Sequence, residues 1–122
     1  KPDKPVGRGK KTTPAVVKKI AEKLKIPAIA PTNLTSEEAL NTLKKINPDL
    51  IIVAAYGKII PKEILNLPKY GVLNVHPSLL PKFRGPSPIQ FAILAGVAKT
   101  GVTIIKMSEN MDEGDILSQI DV

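Results

Sequence analysis

Asn74 and His76 stand one residue apart at the end of the apolar run Gly71-Val72-Leu73-Asn74-Val75-His76. On an extended chain, side chains at i and i+2 share a face. The spacing therefore turns an amide and the only histidine of the chain toward one spot. Pro77 follows, and because proline cannot donate to a sheet ladder the strand is expected to end there. An amide donor beside an imidazole suits a reaction in which negative charge develops on an oxygen. A third polar group, Asp112, lies in the acidic stretch Met111-Asp112-Glu113-Gly114-Asp115. A carboxylate near an imidazole fixes its orientation. Such a trio can polarise a carbonyl, stabilise the oxyanion formed on attack and move protons without a covalent intermediate.

The elements that must position these groups are legible in the hydrophobic pattern. Thr13-Pro14 reads as a helix start, with Thr13 as N-cap, and Val16, Val17, Ile20 and Leu24 follow at helical spacing. Residues 26–30 read as a short extended piece. A capping box at Thr35-Ser36-Glu37-Glu38 opens a second helix that buries Leu40, Leu43 and Ile46. The near-continuous apolar run 50–55 predicts a strand buried on both faces, as in a parallel sheet covered by helices. A short helix at 61–65, a strand at 71–76, a helix from Ser87-Pro88 to Leu94 stopped by Gly96, and strands at 100–107 and 116–122 complete the order. Alternation of this kind predicts an α/β fold with a mostly parallel sheet. The His76 strand end and the Asp112 loop would then gather at one crevice, outside the carboxyl ends of the strands. The order opens on a helix with no strand before it and stops in an extended segment, which is expected of a piece of a larger protein, incomplete at both ends.

Composition narrows the function classes. The 122 residues are enough for one domain with a real core. No cysteine and one histidine leave no disulfide scaffold and no structural zinc set, so no metal is expected and the cytoplasm is the expected location. No apolar run approaches the roughly 20 residues that span a bilayer. The net charge of +7 resides in residues 1–25, where nine basic side chains face only Asp3 and Glu22. A neutral body with a basic N-terminal segment, residues 1–12, read as a loop, suggests a polyanionic partner at that end. Two other chemistries find little support. Ser78 lacks a nucleophile elbow, and Gly7-Arg8-Gly9 is too short for a dinucleotide fingerprint.

The run from Gly71 through Asn74, His76, Ser78-Leu79-Leu80-Pro81 and Arg84-Gly85 to Pro88-Ile89-Gln90 resembles the core motif of the folate-dependent formyltransferases. In that family the Asn and His act with an Asp in a downstream loop, and Gly101-Val102-Thr103 followed by Met111-Asp112-Glu113-Gly114 is similar to that second signature, thirty-six residues after His76. The resemblance covers the whole chain and implies a partial Rossmann-like formyltransferase catalytic domain over residues 1–122, with Asn74, His76 and Asp112 as catalytic groups. It implies 10-formyltetrahydrofolate as co-substrate, held along Ser78, Leu79, Leu80 and Pro81 and against Gly57, Ile59 and Ile60. The opening segment resembles the basic loop of the branch that formylates methionyl initiator tRNA at the start of translation, which implies RNA contacts from Lys4, Arg8, Lys10 and Lys11 and neither a DNA nor a membrane partner. Arg84 is open to an RNA contact or an ion pair. Two rival readings remain: a formyltransferase for a small amine such as glycinamide ribonucleotide, and a non-enzymatic basic RNA-binding fragment.

Overall fold

The computed structural model describes residues 15–122, together with the backbone of residues 4–6 and 11–13. The chain divides into two units, Lys1–Ala39 and Leu40–Val122.

In the first unit, β1 (Lys4–Val6) and β2 (Lys11–Thr13) pair antiparallel, Lys4 opposite Thr13 and Val6 opposite Lys11. Part of the segment read as a loop is thus a backbone ladder. This also corrects the helix start. Thr13 is taken into β2, so α1 (Val16–Lys23) begins after Ala15, with no side-chain cap. The apolar residues of α1 keep their helical spacing, and Val16, Val17 and Ile20 are exposed. Residues 26–30 form no strand.

The boundary between the units falls within α2 (Glu37–Ile46). Its cap is shifted by one residue from the expected box. The Asn33 Oδ1 accepts from the Thr35 amide and hydroxyl at 2.9 and 2.8 Å. Ser36 takes over: its hydroxyl donates to the Asn33 carbonyl at 3.0 Å and its Oγ accepts from the Ala39 N–H at 3.3 Å. Leu40 and Leu43 are half-buried, whereas Ile46 is exposed.

The second unit holds a four-stranded sheet in chain order: β3 (Ile51–Ala54), β4 (Val72–His76), β5 (Gly101–Lys106) and β6 (Ile116–Asp121). Between them lie α3 (Lys62–Leu65), entered from Pro61, and α4 (Pro88–Leu94), entered from Ser87 and closed by the Gly96 and Val97 amides returning to the Ile93 and Ala92 carbonyls. The α/β class is as expected, but parallel pairing is confined to β3 and β4. The other two ladders are antiparallel. The chain re-enters the sheet at the end where β4 stops, with His76 opposite Thr103. The short connection 107–115 then allows only a hairpin return into β6. Val72, Ile105, Ile64, Leu80 and Ala92 form the buried apolar centre. β3 is not buried on both faces. Ile51 and Val53 are half-buried, but Ile52 is exposed on this edge strand.

Candidate active site

β4 supplies the first two groups. Its pleat puts Val72, Asn74 and His76 on one face, with Val72 and His76 buried at its ends. The Nε2 of His76 lies 2.9 Å from the Phe83 carbonyl oxygen. A carbonyl can only accept, so Nε2 is the donor in this pair. Phe83 makes that contact with its backbone in the left-handed region, at φ 56°.

Asp112 reaches the same spot by a route different from the one a parallel sheet implies. Because β5 runs against β4, its carboxyl end leaves the sheet beside the start of β4, where the Met107 N–H donates to the Val72 carbonyl at 2.7 Å. The loop then runs back along β4. Asp112, at φ 52°, places Oδ1 3.4 Å from the Asn74 Nδ2 and Oδ2 3.6 Å from the His76 Nδ1. The second distance is an ion-pair separation rather than a hydrogen bond. The Gly85 N–H donates to the same Oδ2 at 2.9 Å. The side chains of His76 and Asp112 are 4% and 10% exposed, so this attraction operates largely out of water.

The loop is pinned on both shoulders. At one, the Lys62 ammonium pairs with Glu109; hydrogen bonding first and charge second raise the Lys62 pKa above its ordinary 10.5. At the other, the Arg84 Nη1 pairs with the Glu113 Oε1 at 3.1 Å. The base closes through the Lys106 N–H to the Asp115 carbonyl, and a Cβ on Gly114 would lie 1.7 Å from the Lys106 oxygen. Only glycine lets the loop pass that close to β5.

Behind His76 is a buried polar hub that sequence reasoning missed. The fully buried Thr103 hydroxyl donates to the Ser78 carbonyl at 2.6 Å and accepts from the Leu80 N–H at 3.1 Å. The Gln119 Nε2 donates to both that hydroxyl and the Leu80 carbonyl, each at 2.9 Å. Ser78 donates its own hydroxyl to the Lys82 carbonyl at 2.6 Å. Ser78, Leu80 and Thr103 stand in the two signatures, but nothing in those motifs marks their pairing or Gln119, because they meet through the register of three strands.

The hub also bears on the folate contacts expected at 78–81. The Ser78 hydroxyl and both polar backbone groups of Leu80 already have internal partners, and Leu79 and Pro81 are the less buried members of this segment. Both line a cavity of about 480 Å³ walled by residues 79–83 and 97–100, which Asn74, His76 and Asp112 do not reach. Of the second expected segment, Ile59 is exposed, Ile60 is buried and Gly57 sits at φ 68°; none lines that cavity. Arg8 and Lys10, and the side chains of Lys4 and Lys11, lie outside the described residues. No group of three or more metal-ligating side chains occurs among the described residues, and no described helix is long and apolar enough to cross a membrane.

A strand-end Asn-x-His pair met by a returning carboxylate loop stands here on a Rossmann-like α/β sheet of the kind seen in formyltransferase structures. The chain belongs to the formyl transferase family, whose model matches residues 1–122. It is 56% identical over 117 residues to the methionyl-tRNA formyltransferase of Buchnera aphidicola subsp. Baizongia pistaciae, covering 96% of this chain and 36% of that one. To the methionyl-tRNA formyltransferase of Thermotoga neapolitana it is 53% identical over 121 residues, covering 99% and 39%. The chain thus spans less than two-fifths of the length of these relatives. Among solved structures, phosphoribosylglycinamide formyltransferase from Streptococcus pneumoniae superposes with a TM-score of 0.79 at 30% identity, over 88% of this chain and 64% of that one.

Proposed function

We propose that the chain is part of a cytoplasmic enzyme that moves a formyl group from 10-formyltetrahydrofolate to the α-amine of methionyl initiator tRNA, in translation initiation. The observation that carries this reading is the convergence of Asn74, His76 and Asp112 from separate segments onto one face of β4. The co-substrate would bring an activated formyl carbon on a nitrogen leaving group. Asn74 has an amide N–H beyond the one aimed at Asp112 and donates it to the formyl oxygen as negative charge builds there. His76, as imidazolium, carries a second N–H on Nδ1, which makes no hydrogen bond to Asp112 at 3.6 Å and supplies a charge-assisted donor. Asp112 holds that imidazole and accepts the proton lost by the attacking amine on its way to the departing nitrogen. The new carbon–nitrogen bond forms as the old one breaks, and no proton is gained or lost overall. Leu79, Leu80 and Pro81, with the backbone at Gly57 and side chains at Ile59 and Ile60, are the folate contacts, and the Ser78 hydroxyl, bonded to the Lys82 carbonyl, holds that segment in place. Lys4, Arg8, Lys10 and Lys11 neutralise tRNA phosphates.

The likeness to a phosphoribosylglycinamide formyltransferase keeps one rival, a small phosphorylated amine as acceptor. The deciding assay is formyl transfer in the full-length protein, with and without residues 1–11. Loss of transfer to charged initiator tRNA with folate binding retained supports the tRNA reading. No transfer to charged initiator tRNA, or equal turnover on glycinamide ribonucleotide, rejects it; unchanged transfer without residues 1–11 removes only the basic segment from the reading.

A further inference from the structure

We propose that Arg84 is a positioning residue that acts through Glu113 to hold the Asp112 carboxylate at His76. Two adjacent residues grip two adjacent residues here. Arg84 pairs through its side chain with Glu113 at 3.1 Å, and Gly85 donates its backbone N–H to Asp112 at 2.9 Å. Gly85 can present that N–H because it sits at φ 99°, a conformation other residues seldom adopt.

The remaining contacts of Asp112 are weak constraints. Asn74 is at 3.4 Å, at the long end of hydrogen bonding, and His76 at 3.6 Å is beyond it. Asp112 itself has a left-handed backbone, and the loop around it leaves the sheet at Met107 and returns only at Asp115. Between those anchors the Lys62–Glu109 pair holds the shoulder away from the carboxylate, and the Arg84–Glu113 pair and its neighbouring amide are the contacts beside it that set how far it advances along β4. Both members of the pair are 46% exposed, so the pair adds little to folding stability. Its effect is on geometry, and a small misplacement of a reacting group is costly to rate. This answers the choice left open for Arg84: the guanidinium is engaged by the acidic loop rather than offered to RNA.

The proposal rests on the formyl-transfer reading only for its kinetic arm. In the full-length protein, Arg84→Gln and Glu113→Gln should each lower kcat about tenfold with KM for both substrates nearly unchanged. The charge-swapped pair Arg84→Glu/Glu113→Arg should recover most of the loss, which a merely structural role would not produce. Amide hydrogen exchange supplies the activity-independent arm. The Gly85 amide should exchange about tenfold faster in either single variant and return toward normal in the swap, while the β4 amides stay protected. If the wild-type protein transfers no formyl group, the functional reading fails and the exchange arm still tests the latch. Unchanged Gly85 exchange, a swap no better than the singles, or a rise in KM for tRNA alone would each overturn it, the last by returning Arg84 to RNA contact.

Discussion

The Nε2 of His76 lies 2.9 Å from the carbonyl oxygen of Phe83, seven residues further on. The contact assigns the ring's two faces: Nε2 carries a proton toward the backbone, and Nδ1 looks toward Asp112. A single histidine makes this directly observable. Nitrogen-15 NMR of the imidazole should find the neutral ring protonated on Nε2, and a neutral ring protonated on Nδ1 would contradict the geometry.

Asn74, His76 and Asp112 are expected to be separately necessary. Removing one oxyanion donor commonly costs about 10²–10³ in rate, so Asn74→Ala and His76→Ala should each lower turnover by at least that factor. Asp112→Asn is the sharper change at the third position, because it keeps the shape and removes the charge that faces Nδ1. Steady-state kinetics with each variant checks this, and near-normal turnover removes that residue from the mechanism.

How much of this was readable beforehand depended on the range of the interaction. The Asn74–His76 pair follows from the two-residue period of a strand, a purely local rule, and it holds. The helix at Pro88 and the strands around it were equally local. Thr13 failed as a helix cap because it pairs with Lys4, nine residues earlier, and a strand pairing overrides a short capping preference. The sheet was expected to be mostly parallel because helices alternate with strands, yet the direction of β5 depends on which end of β4 the chain re-enters, and no residue type encodes that. Asp112 was located at the right place through the wrong path. The crevice argument assumed that β5 ended beside His76, whereas the loop travels back from Val72 to reach it. Gln119 carried no signal, and Thr103, though inside the second signature, carried none for this role. Their value lies in the register of β4, β5 and β6, which sets Thr103 opposite both His76 and Gln119.

Gly114 should tolerate no side chain. A methyl group there would sit 1.7 Å from the Lys106 carbonyl oxygen, a backbone atom that cannot step aside without moving β5. Gly114→Ala is therefore expected to lose about 1–3 kcal/mol from forced overpacking. It should also shift the loop base enough to pull Asp112 from His76. Denaturant unfolding and turnover should fall together; a variant with wild-type stability would show that the loop has slack at its base.

Thr103 offers the cleanest separation of hydrogen bonding from packing. Thr103→Val keeps the shape but removes the acceptor of the Leu80 N–H and the donor to the Ser78 carbonyl, at a position with no solvent exposure. Each buried group left without a partner costs about 1–3 kcal/mol, so the valine variant should be destabilised by at least about 2 kcal/mol. Thr103→Ser preserves both bonds and deletes one methyl group, for which a loss of about 1 kcal/mol is expected. Urea unfolding of the two variants compares these terms directly. If serine proved as damaging as valine, packing rather than the hydroxyl would hold the 78–83 segment, and the Phe83 carbonyl would owe its place beside His76 to side-chain contact instead of to the hub.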